Sequence, residues 1–70
     1  MRYAIVIEKA PSNYAAYVPD LPGCIATGAS VQETESLIRE AIEFHLEGLK
    51  ADGLPVPTAT SQVEYIDVPA

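Results

Sequence analysis

Three side chains in this sequence could do chemistry singly, Asp20, His45 and Cys24, and the acidic residues Glu33, Glu40, Glu43 and Glu47 could act together through charge. Asp20 stands beside a Pro-Gly turn, and metal-dependent nucleases hold Mg²⁺ with carboxylates at strand ends. A two-metal site needs several convergent acids, whereas the others outside the helix described below are scattered as Glu8, Asp52, Glu64 and Asp67. The competing role for Asp20 is conformational, an Asx turn in which the carboxylate bonds its own backbone. His45 falls on the apolar face of a helix with no serine or cysteine placed to act as its nucleophile, and is expected as a packed, hydrogen-bonded core residue. Cys24 opens a strand as a small half-buried thiol, with no helix N-terminus or basic cluster to lower its pKa. One cysteine and one histidine exclude both a disulfide and a Cys/His zinc site within a single chain. No catalytic residue, metal ligand or cofactor is therefore expected. The acidic set offers a solvated helix face or, alternatively, a negative surface that steers and docks a basic protein; Glu40, Glu43 and Glu47 are the candidate partner-binding residues.

Composition narrows the partners. Ten acidic against four basic residues give a net charge of −6, which opposes the phosphate contacts that dominate nucleic-acid affinity, so direct DNA or RNA binding by this chain is not expected. No stretch approaches a membrane span or a signal peptide, and the default compartment is a reducing cytoplasm. With 70 residues the chain makes one domain, residues 1–70, and a domain this small buries only about 60% of the surface its unfolded chain exposes. Lacking a disulfide or metal staple, it is expected to oligomerise.

The elements that position these residues follow from pattern. Tyr3-Ala4-Ile5-Val6-Ile7 is apolar without alternation and predicts a central strand. Turn residues at Ala10-Pro11-Ser12-Asn13 predict a hairpin into Tyr14–Val18, and Pro19-Asp20-Leu21-Pro22-Gly23 a tight turn into a third strand, Cys24–Gly28. Ser30 and Glu33 have the spacing of a capping box, so a helix of about 22 residues should start at Val31. On a helical wheel Val31, Thr34, Leu37, Ile38, Ala41, Ile42, Phe44, His45, Leu46 and Leu49 share one broad face, opposite Gln32, Glu33, Ser36, Arg39, Glu40, Glu43, Glu47 and Lys50. Gly53 should end the helix in a left-handed conformation, and Pro55 and Pro57 keep it ended. Val63-Glu64-Tyr65-Ile66-Asp67-Val68 predicts a fourth strand. A right-handed crossover would deliver it parallel to the first strand, giving a four-stranded mixed sheet of order 3-2-1-4 with one helix on one face. The other face would need a cover, for which a second copy of the chain is the expected source.

The run Tyr17-Val18-Pro19-Asp20-Leu21-Pro22-Gly23-Cys24, the opening Gly28-Ala29-Ser30-Val31-Gln32-Glu33 of a helix that continues Ile38-Arg39-Glu40-Ala41-Ile42, and the exit Gly53-Leu54-Pro55-Val56-Pro57 resemble the N-terminal domain of the HicB antitoxin family. The resemblance covers almost the whole chain. It implies an α+β, partial ribonuclease-H-like β-β-β-α-β fold and a cytoplasmic, oligomeric, non-enzymatic protein that neutralises a HicA-like toxin, a small basic ribonuclease acting on mRNA. Two departures stand out. Many HicB proteins continue into a helix-turn-helix or ribbon-helix-helix segment that binds DNA, and with the sequence ending at Ala70 no C-terminal DNA-binding domain is expected. The family pattern also favours an Asp or Asn with Thr before the helix and Glu-Ala in its first turns, where this chain has Ala29-Ser30 and Thr34-Glu35; Ser30 keeps the capping oxygen. The alternatives are a weak Mg-dependent ribonuclease-H-like nuclease using Asp20, and an oligomeric interaction domain without a toxin.

Overall fold

Two antiparallel pairings between very short strands build the sheet. The computed structural model describes residues 1–69 and contains β1 (Val6–Lys9), β2 (Tyr14–Tyr17), β3 (Ile25–Gly28) and α1 (Val31–Ala51), with strand order β1-β2-β3. The hairpin joining β1 and β2 is closed by the Ala10 N–H donating to the Asn13 carbonyl at 2.8 Å. Register sorts the side chains. Ile7, Ala16 and Ala26 pair across the strands, as do Val6, Tyr17 and Ile25, and successive residues point to opposite faces. The row containing buried Ala16 faces the helix, and the row containing exposed Tyr17 and Ile25 has no covering element among the described residues. The uncovered second face expected from having one helix is therefore present.

Three features depart from the expected strands. The first strand lies at Val6–Lys9 rather than over Tyr3–Ile7, the second stops at Tyr17 and the third starts at Ile25. The first strand is an edge and the second is central. Residues Val63–Val68 form no strand, so the sheet has three antiparallel strands and not four in the order 3-2-1-4. The residues of that segment have the right propensity, but propensity stabilises a strand only through a hydrogen-bonded and packed neighbour, and the segment pairs with no strand among the described residues.

The helix forms as its capping signals require. Ser30 is extended (φ −140°, ψ 167°) and its Oγ accepts from the Glu33 N–H at 3.1 Å, while the Glu33 carboxylate accepts from the Ala29 N–H at 3.2 Å, one residue further back than in a capping box closed on the cap itself. The chain leaves the helix through Asp52 and then Gly53, whose φ of +68° is left-handed as expected and whose N–H donates to the Lys50 carbonyl. Helix and sheet meet tightly where β3 ends. A Cβ on Gly28 would lie 2.7 Å from Thr34 Oγ1 and 2.9 Å from the Thr34 backbone nitrogen. Thr34 is fully buried there, its hydroxyl donating to the Ser30 carbonyl at 2.7 Å.

The core is small: Ala16, Val18, Leu21, Cys24 and Ile38, with Tyr3, Ile5, Ile7, Ala26, Ala41, Ile42 and Leu46 packed around it. Leu21 comes from the Pro-rich turn and is completely buried, because three backbone bonds (Leu21 N–H to Val18 O, Cys24 N–H to Leu21 O, Val18 N–H to Cys24 O) fold the turn back over the sheet end. The broad apolar helix face is only partly used. Thr34, Ile38, Ala41, Ile42, His45, Leu46 and Leu49 are buried or half-buried, whereas Val31, Leu37 and Phe44 are exposed. A helix of 21 residues is about 31 Å long, and four-residue strands are only about 13 Å, so the sheet cannot cover all of it.

Candidate protein-binding surface

The helix presents its acids along one solvent-facing crest. Glu40, Glu43 and Glu47 are all exposed, and steps of three and four residues keep them on one side of α1, opposite buried Ile38. None of the three makes an ion pair among the described residues; the salt bridge on this helix joins Arg39 to Glu35 at 3.1 Å, one turn away. The crest therefore keeps its negative charge open to solvent. Beside it Phe44 is 79% exposed and Leu37 is exposed at the same flank. Next to Phe44 the helix and the β3 edge enclose an open recess of about 450 Å³, lined by Gly23, Cys24, Ile25, Ala41, His45, Gly48, Leu49 and Asp52 as well as Phe44. Gly48 lines this recess, and a Cβ added there would meet nothing within 4 Å.

The result is an acidic ridge with an exposed aromatic and an apolar notch at its side. Protein interfaces are enriched in aromatic residues at the centre and place charge at the rim, and this arrangement matches that division. Sequence reasoning assigned Phe44 to the buried face and so missed it. The available signal was angular, because Phe44 lies well off the Ile38 direction on the wheel and only a wider sheet would have covered it.

The other sequence candidates fall elsewhere. His45 is half-buried in the wall of the recess rather than enclosed in the core. Cys24 is buried, and burial pushes its thiol pKa up, away from the reactive thiolate. Asp20 does not make the expected Asx turn. Its carboxylate accepts from the Ser61 N–H at 3.0 Å and the Ser61 hydroxyl at 2.9 Å, and from the Thr60 N–H at 3.1 Å and hydroxyl at 3.2 Å. Hydrogen bonding by Ser61, backbone first and then hydroxyl, holds the carboxyl below the ordinary aspartate value, with Thr60 adding to the same effect against an opposing desolvation. Asp20 is a clamp across 40 residues of sequence that ties the chain beyond the helix to the turn before β3. A second tie lies nearby, where the Tyr3 hydroxyl donates to the Pro57 carbonyl at 2.6 Å. Among the described residues no three His, Cys, Asp or Glu side chains converge as a metal-binding group, and no helix is long and apolar enough to cross a membrane.

The sequence model of the family described as HicB_like antitoxin of bacterial toxin-antitoxin system matches residues 3–70. An uncharacterized 14.9 kDa protein from the rep-hol intergenic region of Haemophilus phage HP1 is 39% identical over 69 residues, covering 99% of this chain and 52% of the phage protein. The chain thus spans about half the length of that relative. A UPF0150 protein of Helicobacter pylori is 49% identical over 49 residues, 70% of this chain and 68% of its own length. Among solved structures, a chain of the HicA3 and HicB3 toxin-antitoxin complex superposes with a TM-score of 0.74 at 30% identity, covering 86% of this chain and 70% of that one.

Proposed function

This chain belongs to the HicB-like antitoxin family, and from that premise we propose that it neutralises a basic HicA-type mRNA-cleaving toxin by occupying the surface that toxin uses for RNA. The observation that carries the reading is the open crest of Glu40, Glu43 and Glu47 with Phe44 at its flank. Glu40 to Glu47 spans about 10 Å of helix, and over that distance three carboxylates present the charge that RNA phosphates would bring to a basic groove. Phe44 would fill a pocket at the centre of the contact, and the acids would form its steering rim. The mechanism is occupancy and needs no bond to be made or broken. It agrees with the state of Asp20, the carboxylate a nuclease reading requires, which is bonded to Thr60 and Ser61 through both oxygens. The site of action would be the cytoplasm, where mRNA is translated.

Titration with a purified HicA-type toxin tests this. Replacing Glu40, Glu43 and Glu47 together by lysine should weaken binding by at least about tenfold and flatten its salt dependence, because exposed charges act through a field that salt screens over roughly 10 Å. Phe44→Ala should cost about 2 kcal/mol of binding while leaving the salt dependence in place. Unchanged affinity and unchanged salt dependence in the triple variant would remove the crest from the interface. A native chain that binds no such toxin would leave the oligomeric interaction domain as the better reading.

A further inference from the structure

The recess of about 450 Å³ beside Phe44 has two walls. Phe44, Gly48, Leu49 and Asp52 line one of them at helical spacing, as a single stripe of α1, and Gly23, Cys24 and Ile25 close the other from the turn into β3. Along the helix wall the lining passes from an aromatic ring over Gly48 and Leu49 and ends in a carboxylate. None of the chain's four basic residues lines the recess. The salt bridge among the described residues joins Arg39 to Glu35, which leaves the exposed Asp52 carboxylate unpaired among them.

That carboxylate stands where a helix favours the opposite charge. Asp52 is the C-cap of α1, its N–H donating to the Gly48 carbonyl at 3.1 Å, and the C-terminal end of a helix carries the negative pole of the backbone dipole. An acid there destabilises the free chain, and a cation brought to the same place is attracted by carboxylate and dipole together. On the other flank of Phe44, Glu40 and Glu47 lie four residues before it and three after it, so the ring is bracketed by acids on the helix surface.

We infer that the recess is a socket for one arginine side chain of a basic protein partner, its aliphatic stem laid against Phe44, Gly48 and Leu49 and its guanidinium closed on the Asp52 carboxylate. The inference rests on the toxin-binding reading above and deepens it, by naming the side chain that the toxin contributes and the place that receives it. The lining selects this occupant. An apolar side chain would fill the notch but strip water from the Asp52 carboxylate without giving it a hydrogen bond, and an acidic one would be repelled. Phe44 to Asp52 spans about 12 Å of helix, a stretch that suits a long side chain with an apolar stem and a charged tip. Arginine fits better than lysine, because its planar fork bonds both oxygens of a carboxylate and its weaker hydration lowers the cost of entering a half-enclosed site. The acidic crest and the socket then have separate tasks. Glu40, Glu43 and Glu47 speed encounter with a basic surface, and Asp52 holds one residue of it once docked.

Binding kinetics of the full chain with a purified HicA-type toxin, beside a toxin-free arm, test the socket. Asp52→Ser should weaken toxin binding by roughly 10-fold or more, mainly through faster dissociation, while leaving the salt dependence of association to the crest. Its Tm should not fall, since the charge removed is one the helix end disfavours. Gly48→Leu adds a side chain that lines the recess from a position where a Cβ meets nothing within 4 Å, so the variant should fold and also bind roughly 10-fold or more weakly. One toxin arginine, replaced by alanine, should weaken binding to the native chain and change nothing further against Asp52→Ser. In the toxin-free arm, N-acetylarginine methylamide at millimolar concentration should shift amide resonances of residues 23–25 and 41–52, and N-acetylleucine methylamide should not. Toxin binding that is indifferent to both Asp52→Ser and Gly48→Leu would overturn the socket and leave the antitoxin reading standing. Equal shifts from the leucine compound, or toxin arginines whose effects all add in full to that of Asp52→Ser, would overturn it as well. A native chain that binds no toxin would remove the antitoxin reading, and the arginine compound would then decide the socket alone, confined shifts supporting it and their absence ending it.

Discussion

Gly28→Ala and Gly48→Ala are the same chemical change with opposite expected signs, and the difference isolates the contact that sets helix against sheet. At Gly28 the added methyl would lie 2.7 Å from Thr34 Oγ1, 2.9 Å from the Thr34 nitrogen and 3.1 Å from its Cα. Two of these neighbours are backbone atoms in the first turn of α1, held by the Ser30 cap and by the Thr34 N–H bond to the Ser30 carbonyl at 2.9 Å. Rotating the Thr34 side chain therefore cannot relieve the overlap; the helix start must move off the sheet. Overpacking of this kind costs about 1–3 kcal/mol, and the stiffer unfolded chain returns about 0.4–1 kcal/mol, leaving a net loss of about 1–2 kcal/mol. For a domain of this size that lowers Tm by roughly 4–16 °C. Gly48 sits in the helix with nothing within 4 Å of its missing Cβ, and alanine there should stabilise by about 0.5–1 kcal/mol through helix propensity. Far-UV circular dichroism melts at one fixed protein concentration read both variants, the fixed concentration removing any contribution from self-association. A Gly28→Ala variant that melts at or above the parent would show that the helix has freedom to shift, and the tight-contact argument would fall.

Other outcomes follow from the caps, the clamp and the thiol. Ser30→Ala should cost about 1 kcal/mol in the same melts, since the Glu33 N–H loses its acceptor. Asp20→Ala should leave the helix intact and speed amide exchange at Thr60 and Ser61, whose N–H groups lose their acceptor. The clamp has an acid limit of known sign: a carboxyl held below its ordinary value contributes fully above the unfolded aspartate pKa of about 3.9 and loses that contribution as pH falls through the lower folded value, so the protection of those two amides, taken relative to the intrinsic exchange rate at each pH, should fall only in acid. Cys24 should resist alkylation in the folded chain and react on unfolding, because burial both encloses it and raises its pKa.

What was legible in the sequence is what local chemistry decides. Ser30, Glu33 and Gly53 mark the two ends of the helix through hydrogen bonds spanning three to five residues, and the structure begins and ends α1 there. The hairpin and the Pro-Asp-Leu-Pro-Gly turn are also local. The fourth strand failed for the opposite reason. Val63–Val68 has the residues of a strand, but a strand is a relation between two segments, and nothing in one segment's composition names its neighbour. Asp20 is the same lesson at a single residue. Its turn context suggested bonds to its own backbone, whereas its acceptors are spent on Thr60 and Ser61, 40 and 41 residues on.

The candidate surface was half legible for a geometric reason that also bears on its use. Period alone placed Glu40, Glu43 and Glu47 on the solvent side, and they are there. Period could not say how wide the opposing layer would be, so Phe44 was counted with the core although it stands almost entirely in solvent. Three strands cover a stripe of the helix about as wide as Thr34, Ile38, Ala41 and His45, and what lies outside that stripe is left for something else to cover. A helix longer than its sheet needs is costly in exposed apolar surface unless another molecule meets it. Exposed apolar side chains lie beside the acidic crest at Phe44, on the open sheet face at Ile25 and in the 63–68 segment beyond the helix.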